Sequence, residues 1–288
     1  MIITKRGLFL LGVGIVLVAL ALLAPTLYDR AQRTLYGVKN GVTLQGQLVE
    51  GLLQQELYDV VASLAEAAYV EASNASYNWQ TGEITAEVIG QVVDVQGTVD
   101  ALLAASAQSA VKLVTVQVLP SITAAYFEPI YRGPTSEARV ALMVNVDWGD
   151  EFIPGMLDVF AHHGVSATWF PTGRWVKVAP DLAKAIAQAG HEIGNHGGWH
   201  GAASKMSRSE TARLIQEGED LVFEATGQRP QIFAPPSGDF NQQTVQVAAE
   251  LGYKTVVWTV DTVDWQRPAP TVIIDRVIGK VKNGALVL

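Results

Sequence analysis

Three of the chain's five histidines fall within ten residues, in the stretch HEIGNHGGWH from His191 to His200. His196 and His200 stand four apart with glycines between them. That spacing on a turn or helix start lets two imidazoles face one metal ion. A nearby carboxylate would complete three protein ligands and leave a position for water, as hydrolytic zinc sites require. Carboxylates are on hand in two other segments: Asp147 with Asp150 and Glu151 just beyond it, and Asp261 with Asp264 in DTVDW. The chain has no cysteine, which excludes thiolate zinc sites, disulfides and thiol nucleophiles together.

Groups so far apart in sequence need a scaffold that gathers them. From ARVALMVNVD onward, strand and helix patterns alternate. The strands are ARVALMVNVD, SATWFPTG, HEIGNH, QIFAPP and YKTVVWTVD, with ALVL opening another. Between them lie helical patterns closed by Gly164, Gly190 and Gly227, the last opened by Ser207 and Glu210 at capping-box spacing. This is a parallel α/β pattern, so functional groups collect at the C-terminal strand ends. Asp147, His196, the APPSGDFN segment and DTVDW all fall there.

The rest of the chain reads differently. After Lys5 and Arg6, eighteen uncharged residues run from Gly7 to Ala24, a helix of roughly 27 Å against a hydrocarbon core of ~30 Å. Residues 1–28 read as an uncleaved signal anchor in the cytoplasmic membrane, secretion after cleavage being the alternative. A polar connector over 29–41 follows, then an α+β module over 42–120 and a linker over 121–136 that contains YRGP. The module's helices are LVEGLLQQELYDVVASLAEAAYV and DVQGTVDALLAASAQSA, and its hairpin turns at Thr81-Gly82. A net charge of -8 argues against a nucleic-acid partner, which needs a basic footprint.

The segment 137–288 resembles the polysaccharide deacetylase family, carbohydrate esterase family 4. GHEIGNHGGWH matches its two-histidine motif, APPSG its Arg-Pro-Pro-Tyr-Gly loop and DTVDW its Asp-x-x-Asp-Trp motif. NVDWGDE falls where the family has Thr-Phe-Asp-Asp-Gly, and GALVL where the final Leu-x-His motif begins. The resemblance implies a distorted (β/α) barrel, here C-terminally truncated, and metal-dependent removal of acetyl groups from N-acetylated amino sugars. In hydrophobic pattern and turn placement, the 42–120 module resembles the peptidoglycan-binding module found beside cell-wall enzymes. A spacer or dimerisation module fits it as well.

Carried over by position, His196 and His200 would bind the divalent metal, zinc first and cobalt, manganese or nickel as alternatives. Asp147 would be the catalytic base, or move to ligand with Asp150, Glu151 or a water taking the remaining work. The Ser237 backbone N–H would help hold the oxyanion. Asp261 would tune the acid histidine of the final motif. Trp265 and Leu288 would line the groove for the acetyl methyl. Trp148, however, stands where the family has its metal-binding aspartate, Ala234 replaces the arginine that orients the base, and Ser237 replaces the tyrosine. NVDWG resembles a deacetylase-like branch of spore-forming bacteria.

Blander roles compete for the remaining groups. Asp150 and Glu151 suit a helix's first turn, where the macrodipole favours carboxylates. Asp264 reads as a loop-positioning residue, His191 as structural, His162 and His163 as surface, and Trp175 and Trp258 as packing. The functional expectation is a membrane-anchored, extracytoplasmic deacetylase acting on N-acetylated cell-wall glycan. The alternative is an impaired relative that only binds such glycan.

Overall fold

The computed structural model describes residues 5–288; the first four residues of the expected anchor lie outside the described residues. Two compact units are present, one taking in residues up to Ser73 together with Val88–Pro120, the other Asn74–Glu87 together with Ser121–Leu288.

In the first unit, helix α1 (Lys5–Tyr36) extends through most of the expected connector. Its stretch Val13–Tyr36 is long and apolar enough, by length and composition, to cross a membrane. Arg33 ties the end of α1 to its own unit, donating to both carboxylate oxygens of Glu56 at 2.8 and 2.9 Å and to the Gly51 carbonyl at 3.1 Å. Strands β1 (Thr43–Leu44) and β2 (Gln47–Leu48) and helix α2 (Gln54–Ala68) follow. The apolar stripe of α2 packs on that of a later helix, so Leu57, Val61, Val99 and Leu102 are buried together.

The hairpin of β3 (Ser76–Tyr77) and β4 (Ile84–Thr85) turns at Gly82, whose φ of 78° suits glycine. This hairpin, read from sequence as part of the 42–120 module, groups instead with the second unit. Its contacts give the reason. The Trp79 indole donates to Glu250 at 2.5 Å and lies under the Arg208 guanidinium, 4.3 Å from it. The chain then returns to the first unit through β5 (Gly90–Val93), α3 (Val95–Ala104), β6 (Ala110–Val111) and β7 (Thr115–Val118). Residues 121–136 are packed rather than free: Phe127 is fully buried, and Ile130 pairs in parallel with Val256.

The second unit carries β8 (Ala141–Val146), α4 (Ile153–His163), β9 (Thr168–Pro171), α5 (Gly173–Val178), α6 (Pro180–Gln188) and β10 (Glu192–Ile193). It continues with α7 (Arg208–Thr226), β11 (Ile232–Phe233), α8 (Gln242–Glu250), β12 (Lys254–Thr255), α9 (Pro270–Ile278) and β13 (Leu286–Val287). The Ser207/Glu210 capping box opens α7 and left-handed Gly227 closes it, as the sequence indicated. Helix α5 was not legible in the sequence pattern.

All pairings of the main sheet, β10-β9-β8-β13, are parallel. Asn195 pairs with Phe233, and β11 with β12. The segment after β12 turns to pair Val260 with Val287 of β13, so the pairings return upon themselves in an irregular ring. Side chains alternate across it. Met143, Phe170, Ala234, Val256 and Leu286 meet on one side, while Val146, Trp169, Ile193, Ile186 and Val222 form the core against the helices. This alternation puts Asp147 on the same face as Met143, two steps past Asn145.

Gly218 of α7 lets that helix approach the histidine loop closely. A Cβ there would meet the Asn195 amide oxygen and come within 2.7 Å of the Gly197 backbone. Gly218→Ala should therefore lower stability by about 2 kcal/mol, through overpacking. Gly155→Ala, with nothing within 4 Å of its Cβ in α4, should raise stability by about 0.5 kcal/mol. Urea denaturation midpoints of the two variants check both signs.

Candidate functional site

Register assembles the site. Val146 pairs with Pro171, so Asp147 and Thr172 are the next residues of two adjacent strands. The His196 amide donates to the Pro171 carbonyl at 3.2 Å, and the Ala234 amide to the Asn195 carbonyl at 3.0 Å. Four neighbouring strand ends thus present Asp147, Thr172, His196 and Ala234 side by side.

Asp147 accepts three hydrogen bonds. Its Oδ1 accepts from Thr172 Oγ1 at 2.7 Å and from Arg174 Nε at 2.6 Å. Its Oδ2 pairs with Arg174 Nη2, completing a two-pronged ion pair. The carboxylate is 9% exposed and the guanidinium 55%. Burial works against the charged carboxylate, but the Arg174 and Thr172 hydrogen bonds and the Arg174 charge outweigh it and hold the pKa below the usual aspartate range. Thr172 is the N-cap of α5 and Arg174 lies in its first turn. Arg174 is therefore the residue that the sequence motifs missed. The available signal was a threonine cap closing a strand at the same rim, with an arginine two residues on.

His196 is buried, and its Nδ1 lies 2.7 Å from the Ala234 carbonyl. A carbonyl only accepts, so Nδ1 carries the proton and the Nε2 lone pair is left for another partner. Desolvation pushes the pKa of His196 down to about 4, so the ring is neutral at neutral pH. The ring centroids of His196 and His200 are 5.4 Å apart. The loop between them is pinned from three sides. Gly197 N–H donates to Asn195 Oδ1 at 2.7 Å, Asn195 Nδ2 to the Ile215 carbonyl at 2.8 Å, and the Gly173 and Arg174 amides to the Gly197 and Gly198 carbonyls at 2.8 Å each. The helix that holds Asp147 and the loop that holds the imidazoles are one hydrogen-bonded block.

The other sequence-derived residues lie further along the rim. Ser237 is in left-handed backbone, φ 58°, between Pro236 and Gly238. Asp261 Oδ1 accepts from the Val263 amide at 2.7 Å, a local turn bond. Asp264 accepts from the Trp265 amide at 2.9 Å, in keeping with a loop-positioning role. Leu288 packs beside Met143, Phe170 and Ala234. Trp175 is buried and its Nε1 donates to Asp150, so that carboxylate braces α5. His191 accepts from the Ala167 amide at 3.2 Å and packs on Phe160 and Trp169, a structural role.

The donors fit a divalent metal only in part. His196 and His200 are suitable imidazoles, but the Asp147 carboxylate is paired with Arg174, and the next residue is Trp148, exposed. Among the described residues no group of three His, Cys, Asp or Glu is placed to hold a metal ion. Hydrolytic zinc needs three protein ligands, so the set as arranged does not fit such a centre.

The profile of the polysaccharide deacetylase family matches residues 132–256. An uncharacterised protein of Bacillus subtilis, YlxY, is 43% identical over 178 residues, covering 61% of this chain and 56% of the relative. A peptidoglycan-N-acetylglucosamine deacetylase of Bacillus cereus is 33% identical over 158 residues, covering 55% of this chain and 58% of the relative. The chain thus spans little more than half the length of these two curated relatives. Among solved structures, BA3943 of Bacillus anthracis, a CE4 family pseudoenzyme, is 34% identical with a TM-score of 0.56, covering 81% of this chain and 83% of that chain.

The neutral burial of His196 has a pH signature. Its folded pKa lies below the ordinary histidine value of 6.5, so its contribution to stability is complete above pH 6.5 and is lost as pH falls towards 4. In metal-free buffer, stability should drop by about 2 kcal/mol between pH 7 and pH 5. Urea titrations of the protein and of His196→Gln check this: the variant should lose that part of the slope.

Proposed function

The chain belongs to the polysaccharide deacetylase family, carbohydrate esterase family 4, and from that premise we propose that it binds N-acetylated cell-wall glycan without hydrolysing it. The observation that carries this reading is the donor set at the rim, where Trp148 follows Asp147 and no third group joins His196 and His200 among the described residues. A general base needs a free lone pair aimed at the attacking water, and a ligand needs one aimed at the metal. Asp147 gives three of its about four lone-pair sites to Arg174 and Thr172.

The neighbouring position deepens the deficit. Trp148 supplies an indole, which has no lone pair to offer a cation. A metal, zinc first by donor chemistry, would rest on His196 and His200 alone, too few to fix and activate a water. No step of hydrolysis is therefore assigned to the chain. Asp261 remains a turn former in this reading, its Oδ1 taken by the Val263 amide, and Ser237 a loop residue at the rim. The distorted barrel of the family supplies the frame, and the rim above it, with Trp265 and Leu288, the glycan groove.

The hydrolytic reading retains one supporting observation: neutral His196, its Nδ1 fixed by the Ala234 carbonyl, has the disposition of a metal-ligating imidazole. We further propose that α1 anchors the protein in the cytoplasmic membrane with the second unit outside, facing the wall. Its length and apolarity support this, as does the wall substrate named for the B. cereus relative. The first unit would then be a spacer or second wall-binding surface.

The test pairs binding with chemistry. The protein should sediment with insoluble peptidoglycan and release no acetate from N-acetylglucosamine oligomers with zinc or cobalt present. Trp148→Asp restores a carboxylate beside the histidines, and it should tighten zinc binding by about tenfold or more in calorimetry, as one added charged ligand does. Zinc-dependent acetate release by the unaltered protein would refute the non-hydrolytic reading; absence of sedimentation would refute the binding.

A further inference from the structure

The residue that removes the metal ligand has properties of its own. Trp148 is 55% exposed at the end of β8, next to a carboxylate that is almost fully buried. It is also held on a rigid turn. Gly149 is left-handed with φ 92°, the Phe152 amide donates to the Gly149 carbonyl at 3.1 Å, and Asp150 is tied to buried Trp175. Phe152 lies on the same turn, is 54% exposed, and has a ring atom 3.8 Å from where a Gly149 Cβ would be. Trp265, 59% exposed, rises just beyond the segment that pairs with β13, and β13 pairs with β8. Two strand spacings, roughly 10 Å, therefore separate the bases of the two tryptophans' segments along one rim.

Resting on the glycan-binding reading, we propose that Trp148 is a sugar-stacking platform, its exposed indole packing against the C–H face of an N-acetylhexosamine unit. The chemistry of the rim selects that partner. A pyranose has a face of polarised C–H bonds that suits the negative face of an indole, and a hydroxylated edge that needs hydrogen-bond partners. Arg174 supplies the partner: Nε and Nη2 are used on Asp147, while Nη1 makes no hydrogen bond among the described residues.

The experiment is calorimetry of the full chain in detergent, without added metal, using N-acetylglucosamine tetramer as the probe. The unaltered protein should bind the acetylated tetramer. Trp148→Ala should weaken binding of the acetylated tetramer by about tenfold, and Trp148→Phe should restore most of it. The indole is exposed, so both variants should keep the parent's thermal unfolding midpoint. If the unaltered protein binds and Trp148→Ala binds equally well, the platform is refuted while the glycan-binding reading stands. If Trp148→Ala instead disperses an oligomer seen by size exclusion, the indole meets a second copy and the platform is again refuted. Failure of the unaltered protein to bind any acetylated oligomer would refute the reading beneath it.

Discussion

The site is organised around the ion pair between Asp147 and Arg174. An aspartate at 9% exposure is costly to ionise unless its charge is met. Here it is met by a guanidinium on two prongs and a threonine hydroxyl on a third bond. Breaking such a pair to free a lone pair strands a charge in a poorly solvated place. The arrangement is thus self-consistent without a cation, and that consistency sets it apart from an incomplete version of a metal centre.

The same block fixes the positions of the histidines. Their loop is bonded to α5, to Asn195 and, through Gly198, to the Leu214 carbonyl at 2.6 Å. His196 is further fixed by the Ala234 carbonyl, a contact that does not depend on the residue's side chain. Position 234 is alanine, and Arg174, on a helix after a different strand, is the arginine that pairs with Asp147.

Much of this was legible in the sequence, because strands that are buried on one side and end in polar residues announce themselves. The alternating pattern of 137–288, the α7 capping box and the clustering of Asp147, His196 and Ser237 at strand ends all followed from periodicity and turn chemistry. The exchange of partners by Asp147 did not, since α5 is only six residues long and gives no helical period. The placement of the β3–β4 hairpin was also hidden: it depends on Trp79 meeting Arg208 and Glu250, contacts 129 or more positions away in sequence. Residues 121–136 looked like a linker from Gly, Pro and charge, while Phe127 and Ile130 pack them into the second unit.

The most direct measurement is crystallographic: anomalous diffraction at the zinc edge from crystals equilibrated with saturating zinc. The account predicts that Asp147 stays paired with Arg174 and outside the coordination sphere of any zinc on His196 and His200. An Asp147 oxygen within about 2.2 Å of a zinc ion, with Arg174 swung away, would contradict it.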